Sequence, residues 1–348
     1  MNPENKAKSI LKTLAKRGIG YGKALLFPIL LYALFAIIAL CVPNNTFFTA
    51  YTTEKIFQEA VLSTVVGLAI AVPLSGGRWD FATGTIPVLG GIVGLNLSLM
   101  VSKNVFVALI FCVLVCVLLA VLEGVIYISF RVPTMIVSLG VVMLYEALTN
   151  LLFDGAGINI YSQEAGAIKN LISLYTAPWC YVLLALVLIV TTFILDWTRF
   201  GADTKSLGSN SRLAVNAGVK EKKNILLTYV FIGVLLGIAA LLNASKGKVE
   251  AANNLSSTAL MFSSMGPVLV GLFLARYSSL PWGIFAGAIG FNVISYGLNA
   301  FGIDSSIQNI ITGVVIVAIM AFTTNKEAID RFLEKSLGTF KRGERHGC

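Results

Sequence analysis

A helical membrane protein is the fold class this sequence predicts, on its composition, the length of its apolar runs and the placement of its charge. Of 348 residues, 57% are hydrophobic and 12% are charged, and mean hydropathy is +0.84. A soluble domain carries about 25% charged residues. Half of that leaves too little polar surface to cover a globule in water. The apolar residues fall in runs of about 18 to 25, the length at which a helix crosses a hydrocarbon core of roughly 30 Å. A transmembrane barrel would show alternating segments of about 10 residues instead.

About ten spans are expected, near residues 24–43, 58–75, 84–101, 104–130, 133–153, 178–196, 225–244, 259–276, 281–300 and 307–323. Residues 24–323 then form one transmembrane unit between tails at 1–23 and 324–348. The first tail holds Lys6, Lys8, Lys12, Lys16, Arg17 and Lys23 against one acid, Glu4. It has no short apolar core followed by a small-residue cleavage site, so it reads as a retained cytoplasmic tail. With that end inside, the inner segments take this cluster, Arg78, Arg131, Arg276, six basic residues between 197 and 224 and six after 324. The outer segments take Lys55, Lys103, Lys169, Lys246 and Lys248. This bias of about four to one follows the positive-inside rule. The net charge of +9 therefore serves topology, and no nucleic-acid partner is implied.

Glycine and proline crowd several spans. Pro73, Gly76, Gly77, Gly84, Pro87, Gly90 and Gly91 lie across the second and third, Pro133 opens the fifth, and Gly266–Pro267 falls within the eighth. Helices broken at membrane depth face protein or a water-filled cavity, so these positions are candidate pathway walls. Close packing of helices at small residues is the plainer reading. Residues 58–153 and 225–323 also form two four-span blocks that would enter the membrane from opposite sides. Their connections "YISFRVPTMIVSLG" and "YGLNAFGIDSSIQNIITG" are alike. An inverted repeat is a common build for transporters, with the path at the repeat interface.

Several chemistries are excluded. The one histidine, His346, lies in the tail, which rules out His-based triads and metal sites. No phosphate-binding loop of the type G-x-x-x-x-G-K-[ST] occurs, so no ATPase or other enzyme activity is expected. Cys41, Cys112, Cys116 and Cys180 lie in or beside apolar runs and read as packing residues. Two carboxylates fall within spans. Glu123 reads as a helix-end residue. Glu146, in "MLYEALTN", is deeper and suits either hydrogen bonding to neighbouring helices or a substrate role.

The segment "RFGADTKSLGSNSRLAVNAGVK", Arg199 to Lys220, interrupts two apolar runs. Trp197 and Arg199 suit the membrane interface. Gly208 and Ser209 break the chain, Asn210 or Ser211 can cap a helix, and Gly218 can end it. Leu213, Ala214 and Ala217 fall on one face of the two turns between, with Arg212 and Asn216 toward the other. A two-turn helix does not stand alone in water. It rests on its own bundle or is offered to a partner's groove.

This loop resembles that of permease subunits of bacterial ABC importers for ribose and related monosaccharides, in the family that also serves branched-chain amino acids. The resemblance rests on Thr198, Arg199, Phe200 and Gly201, then Gly208 and Asn210, then Ala214, Gly218 and Val219. Three further stretches match in order: "GGRWDFATG" with Gly76, Gly77, Asp80 and Gly84, "VPTMIVSLG" with Pro133 and Gly140, and "YGLNAFGID" with Asn299 and Gly302. There are departures. Arg78 and Trp79 sit inside the aspartate motif, Glu146 stands where many relatives have arginine, and "RYSSLPWG" replaces a glycine-rich link.

The resemblance implies a type II importer permease in the bacterial inner membrane, with both termini cytoplasmic. It implies a coupling helix at about 211–217, with Arg199, Gly208, Asn210, Arg212, Leu213 and Gly218 meeting a separate ATP-binding subunit. The chain itself would hold no cofactor or metal. Its partners would be that ATPase, a second permease copy or paralogue, and an extracytoplasmic solute-binding protein. Gly76, Gly77, Asp80, Pro133, Glu146 and Asn299 are the candidate pathway residues. Two alternatives stand beside this reading: an ion-coupled secondary transporter using Glu146 or Asp80, and a non-transporting assembly subunit.

Overall fold

The computed structural model describes residues 3–43, 45–130, 132–161, 169–275 and 278–324. The helices are α1 Pro3–Cys41, α2 Ala50–Ser75, α3 Thr85–Val101, α4 Val105–Phe130, α5 Thr134–Leu151, α6 Lys169–Leu174, α7 Trp179–Trp197, α8 Arg199–Ser209, α9 Ser211–Asn216, α10 Glu221–Ala244, α11 Thr258–Leu274, α12 Leu280–Ala300 and α13 Ser305–Thr324. The one sheet among the described residues pairs β1 Ile158–Asn159 with β2 Lys248–Val249, antiparallel, with Ile158 opposite Val249. Seven helices are long and apolar enough to cross a membrane, and 85–101, 258–274 and 306–318 are shorter apolar helices. The expected all-helical membrane architecture is present, with ten apolar helices in the expected order.

The spanning helices alternate between two faces. One carries α8 and α9 and is called the loop face. The other carries the β1–β2 pair and is called the ribbon face. α2 and α10 are the inner pillars and are largely buried, whereas α4 keeps most of its apolar surface outward. α10 packs on α2, α3 and α4, and α2 packs on α10, α11 and α12. Missing side chains permit this closeness: a Cβ at Gly237 would lie 2.5 Å from Val113 Cα, and one at Gly94 2.7 Å from Cys112 Cα. Small residues of this kind bring membrane helices into backbone contact where there is no water to drive them together.

Several expectations need correction. α2 begins at Ala50, two turns before the expected span. α1 already runs through most of the first tail. Gly266–Pro267 does not break its helix, because α11 continues through both. A Cβ at Gly266 would meet the Phe291 ring at 2.5 Å, so this glycine serves packing. Gly90 and Gly91 likewise lie within α3, against Cys116 and Ala240. The break expected at Gly208–Ser209 is present but falls just after them, at Asn210; Gly208 itself belongs to α8, a helix the sequence reading missed. One break falls at Gly76, Gly77 and Gly84 as expected, in a non-helical link ahead of α3, and a second lies in a glycine-free link ahead of α11. Both helices have 17 residues, about 25 Å at 1.5 Å per residue. From a shared meeting point α3 rises to the ribbon face and α11 descends to the loop face.

Candidate functional site: two links that meet inside the bundle

The inner link, residues 76–84, climbs from the loop face. Gly76 closes α2 by donating its N–H to Pro73 O at 2.9 Å, and Gly77 follows at φ +74°, where a side chain is strained. Asp80 Oδ1 accepts from Ala82 N at 2.8 Å. Arg78 is buried, and its Nη2 donates to Asn224 Oδ1 and Thr228 Oγ1, both at 3.3 Å. Asn224 Nδ2 in turn donates to Thr204 Oγ1 of α8 at 2.9 Å. Arg78, a departure from the family pattern, thus ties the link to α10 and α8. Asp80 Oδ2 and both Glu123 oxygens are buried with no hydrogen bond of ordinary geometry, and the two carboxyls lie beside each other. Glu123 is not a helix-end residue; it faces the link from inside α4.

The outer link, residues 250–257, enters from the ribbon face and is held by α5. Thr149 Oγ1 accepts from Ala252 N at 2.9 Å. Asn150 Nδ2 donates to Ala252 O and to Asn253 Oδ1, both at 2.8 Å. Glu146, buried at 4% exposure, accepts three bonds: Leu255 N at 2.8 Å, Ser257 N at 2.9 Å and Ser257 Oγ at 2.6 Å. Its carboxylate satisfies orphan donors at the start of α11, where the helix dipole favours negative charge. This favours the neighbouring-helix role for Glu146 and explains a carboxylate in this position. Asn254 and Leu255 take φ +53° and +63°. Leucine in the left-handed region is uncommon and marks a held, strained turn.

The links meet where Thr85 Oγ1 lies 2.6 Å from Ser257 Oγ. The single Ser257 hydroxyl proton goes to Glu146, so Thr85 is the donor in this pair. A directed chain, Thr85 to Ser257 to Glu146, joins the two halves. A Cβ at Gly84 would lie 2.8 Å from Ser257 O, so glycine is required for this approach. Asn253, Asn254, Leu255 and Ser256 remain exposed. Phe262, 50% exposed, stands beside Phe81 with ring centroids 6.2 Å apart.

On the loop face, α8 and α9 form a helical pair. Asn210 Oδ1 caps α9 by accepting from Leu213 N at 3.1 Å, and Gly218 follows at φ +94°. Ala214 is the buried residue of α9, whereas Leu213 is 66% exposed. Arg199 and Arg212 are exposed. Gly208 packs on the end of α2 so closely that a Cβ would collide with Ser75 O. The structure therefore brings together Gly76, Gly77 and Gly208, and separately Glu146 and Ser257. It does not bring Pro133 or Asn299 to either link. Pro133 is the N-cap of α5, and Asn299 accepts from Gly302 N at 2.9 Å in the turn ending α12. Both motifs are helix punctuation. The departure at "RYSSLPWG" begins with Arg276 and Tyr277, which lie outside the described residues. Its Gly283 packs against Gly271 O at 2.6 Å from a would-be Cβ.

The sequence reading missed Arg78 with Asn224, Thr85 with Ser257, and the exposed outer link. The run "AANNLSSTAL" carried the signal for the last: four polar residues, Asn253, Asn254, Ser256 and Ser257, ahead of an apolar helix.

Residues 52–320 match the family model described as branched-chain amino acid transport system / permease component. The chain belongs to this family. It is 22% identical to the ribose import permease protein RbsC of Escherichia coli (strain K12) over 86% of this chain and 93% of that one. It is 26% identical to the galactose/methyl galactoside import permease protein MglC of Salmonella typhimurium (strain LT2), over 86% of this chain and 94% of that one. It is also 23% identical to the autoinducer 2 import system permease protein LsrC of Photorhabdus luminescens, over 81% and 85%. The chain is thus a multi-pass inner-membrane permease subunit of an ABC importer and not itself an enzyme.

Proposed function

We propose that this permease moves a neutral, polyhydroxylated solute of monosaccharide size from the ribbon face, outside, to the loop face, in the cytoplasm. The carrying observation is the outer link. It turns uncharged hydrogen-bonding side chains, Asn253, Asn254 and Ser256, outward from the subunit between the two faces. Irregular backbone at membrane depth is tolerated where it lines a water-filled cavity, so this surface faces a pathway shared with a second permease copy or paralogue. Amides and hydroxyls beside the Phe81–Phe262 pair suit a neutral solute with polar edges and apolar faces. The import of ribose, galactose and autoinducer 2 by relatives supports the same class. Glu146 is engaged by three hydrogen bonds, which leaves little of it for a coupling ion.

In this reading α9 is the coupling helix. Its exposed Leu213 seats in a groove of an ATP-binding subunit, and nucleotide is held there. An extracytoplasmic binding protein delivers solute to the ribbon face. Closure of the ATPases favours one orientation of the permease pair through differential affinity. The inner link carries the movement from α8 through Gly208–Ser75 and Thr204–Asn224–Arg78 to Thr85. The two four-helix blocks are read as an inverted repeat. Supporting this, α3 packs on α10 as α11 packs on α2, and α4 packs on α10 as α12 packs on α2.

Uptake by the complete transporter in proteoliposomes tests the proposal. D-ribose or D-galactose enters with ATP inside, and the Leu213→Asp variant loses both uptake and co-purification of the ATPase. Uptake of leucine with neither sugar transported would overturn the solute class. Retained ATPase binding in Leu213→Asp would overturn the coupling role.

A further inference from the structure

A second polar cavity opens on the ribbon face, apart from the Asn253–Ser256 surface. Its volume is about 510 Å³, within the roughly 300–1,000 Å³ typical of small-molecule sites. Glu54, Lys55, Gln58 and Glu59 of α2 form one wall, with Tyr175 and Lys246 among the residues facing them. Most of these groups bond to one another. Lys246 Nζ pairs with Glu59 Oε2. Gln58 Nε2 donates to Glu54 Oε1 at 2.7 Å, and Gln58 itself is 3% exposed. The ammonium groups of Lys55 and Lys246 lie 5.9 and 5.5 Å from the centre of the Tyr175 ring.

Tyr175 is the exception. It is 5% exposed, and its hydroxyl is buried with no hydrogen bond of ordinary geometry, although Glu59 lies beside it. A buried hydroxyl left unpaired costs about 1–3 kcal/mol. This one faces the Glu59 carboxyl, so it bears on how that carboxylate is presented to the cavity.

We propose that this cavity is an outer binding site for the transported solute, entered before the solute reaches the outer link. The inference rests on the neutral, polyhydroxylated class argued above. Two carboxylates and two ammonium groups leave the cavity with no formal net charge, so an ion of either sign gains no net attraction. A ligand bearing several hydroxyls suits this lining: it donates to Glu54 and Glu59, and accepts from Lys55 and Gln58. The cavity lies beside the ribbon that leads to the outer link. Tyr161 Oη reaches Lys246 O at 3.5 Å, and β2, two residues beyond Lys246, runs directly into the outer link.

The test uses the full-length permease in lipid nanodiscs without its partners. Saturation-transfer NMR is run with D-ribose and D-galactose as probes. The wild type is expected to transfer saturation to ring protons of at least one sugar. Tyr175→Phe removes only the hydroxyl and should weaken this binding roughly three- to tenfold. Glu59→Gln, which also disrupts the pair with Lys246, should weaken it at least as much. Gly140→Ala, where nothing lies within 4 Å of an added Cβ, should leave it unchanged. Binding lost in Asn253→Ala but kept in both cavity variants would overturn the outer site and leave the proposed function standing. Absence of binding to both sugars, with the complete transporter still importing one, would also overturn the site. Failure of both sugars to enter through the complete transporter would instead remove the solute class itself.

Discussion

The two links do the same geometric job in opposite directions, yet they are built differently. The inner link is largely buried, with Gly77 exposed and Trp79 and Phe81 half-buried. Arg78 and Asp80 are buried, and its ends are fixed by Gly208 against Ser75 and by Gly84 against Ser257. The outer link is anchored along one side only, by Glu146, Thr149 and Asn150, and leaves Asn253 to Ser256 exposed with two residues in the left-handed region. Burial along most of its length suits a segment that transmits movement. Burial on one side suits a segment that touches solute. The same bundle position can therefore serve mechanics or recognition, depending on whether neighbouring helices cover it.

The largest expected effect comes from removing the anchor of the outer link. Glu146→Ala leaves Leu255 N, Ser257 N and Ser257 Oγ without their acceptor. Hydrogen bonds to a charged group contribute about 1.5–3 kcal/mol each. A thermal melt in detergent should show a large loss of stability, and Glu146→Gln, which keeps one acceptor oxygen, a smaller one. Equal melts for wild type and both variants would break the anchoring half of the comparison.

Gly208→Ala comes next. Its Cβ would collide with Ser75 O, and overpacking of this kind costs about 1–3 kcal/mol. The expected outcome is a folded permease whose complex no longer stimulates ATPase activity with solute. Gly140→Ala, where nothing lies within 4 Å, is the control and should behave as wild type. Arg78→Met should act in the same direction as Gly208→Ala, because it unties the link from Asn224 and Thr228.

Smaller effects sharpen the contrast. Glu123→Gln places a permanent N–H donor facing Asp80, where three carboxyl oxygens lack a hydrogen bond of ordinary geometry. The variant should melt at or above the wild-type temperature, within about 1 kcal/mol. At the ribbon, the Lys248 ammonium holds the exposed Glu250 carboxyl below its ordinary value of 4.5. Any stability from this pair is present above that value and lost as pH falls through the lowered one. Exposed pairs contribute little, so Lys248→Met should leave the melting temperature unchanged near neutral pH.

Most of the fold was legible in the sequence, because apolar run length reports directly on a bilayer of fixed thickness. The cap at Asn210 and the stop at Gly218 were also legible, since both are local backbone requirements. The junction was not. Thr85 and Ser257 lie 172 positions apart, and nothing local in either stretch names the other. Glycine misled at two positions. Gly266 looked like a break and is a packing site, whereas Gly208 looked like a break and is a contact point inside a helix. Glycine content alone does not separate a helix that ends from a helix that is closely approached. Arg78 read as a departure from the family pattern, and its purpose became visible only with Asn224 and Thr204 beside it.

Cysteine accessibility tests the central claim most directly. In a permease with its own cysteines replaced, single cysteines are placed at Asn253 and Ser256 of the outer link and at Ala82 and Thr83 of the inner link. A charged, membrane-impermeant thiol reagent is then applied to the assembled transporter. The account predicts labelling at 253 and 256 from the ribbon face, slowed by D-ribose or D-galactose, and none at 82 and 83 from either side. Labelling at 82 and 83, with 253 and 256 unreactive, would contradict it and move the solute pathway to the inner link.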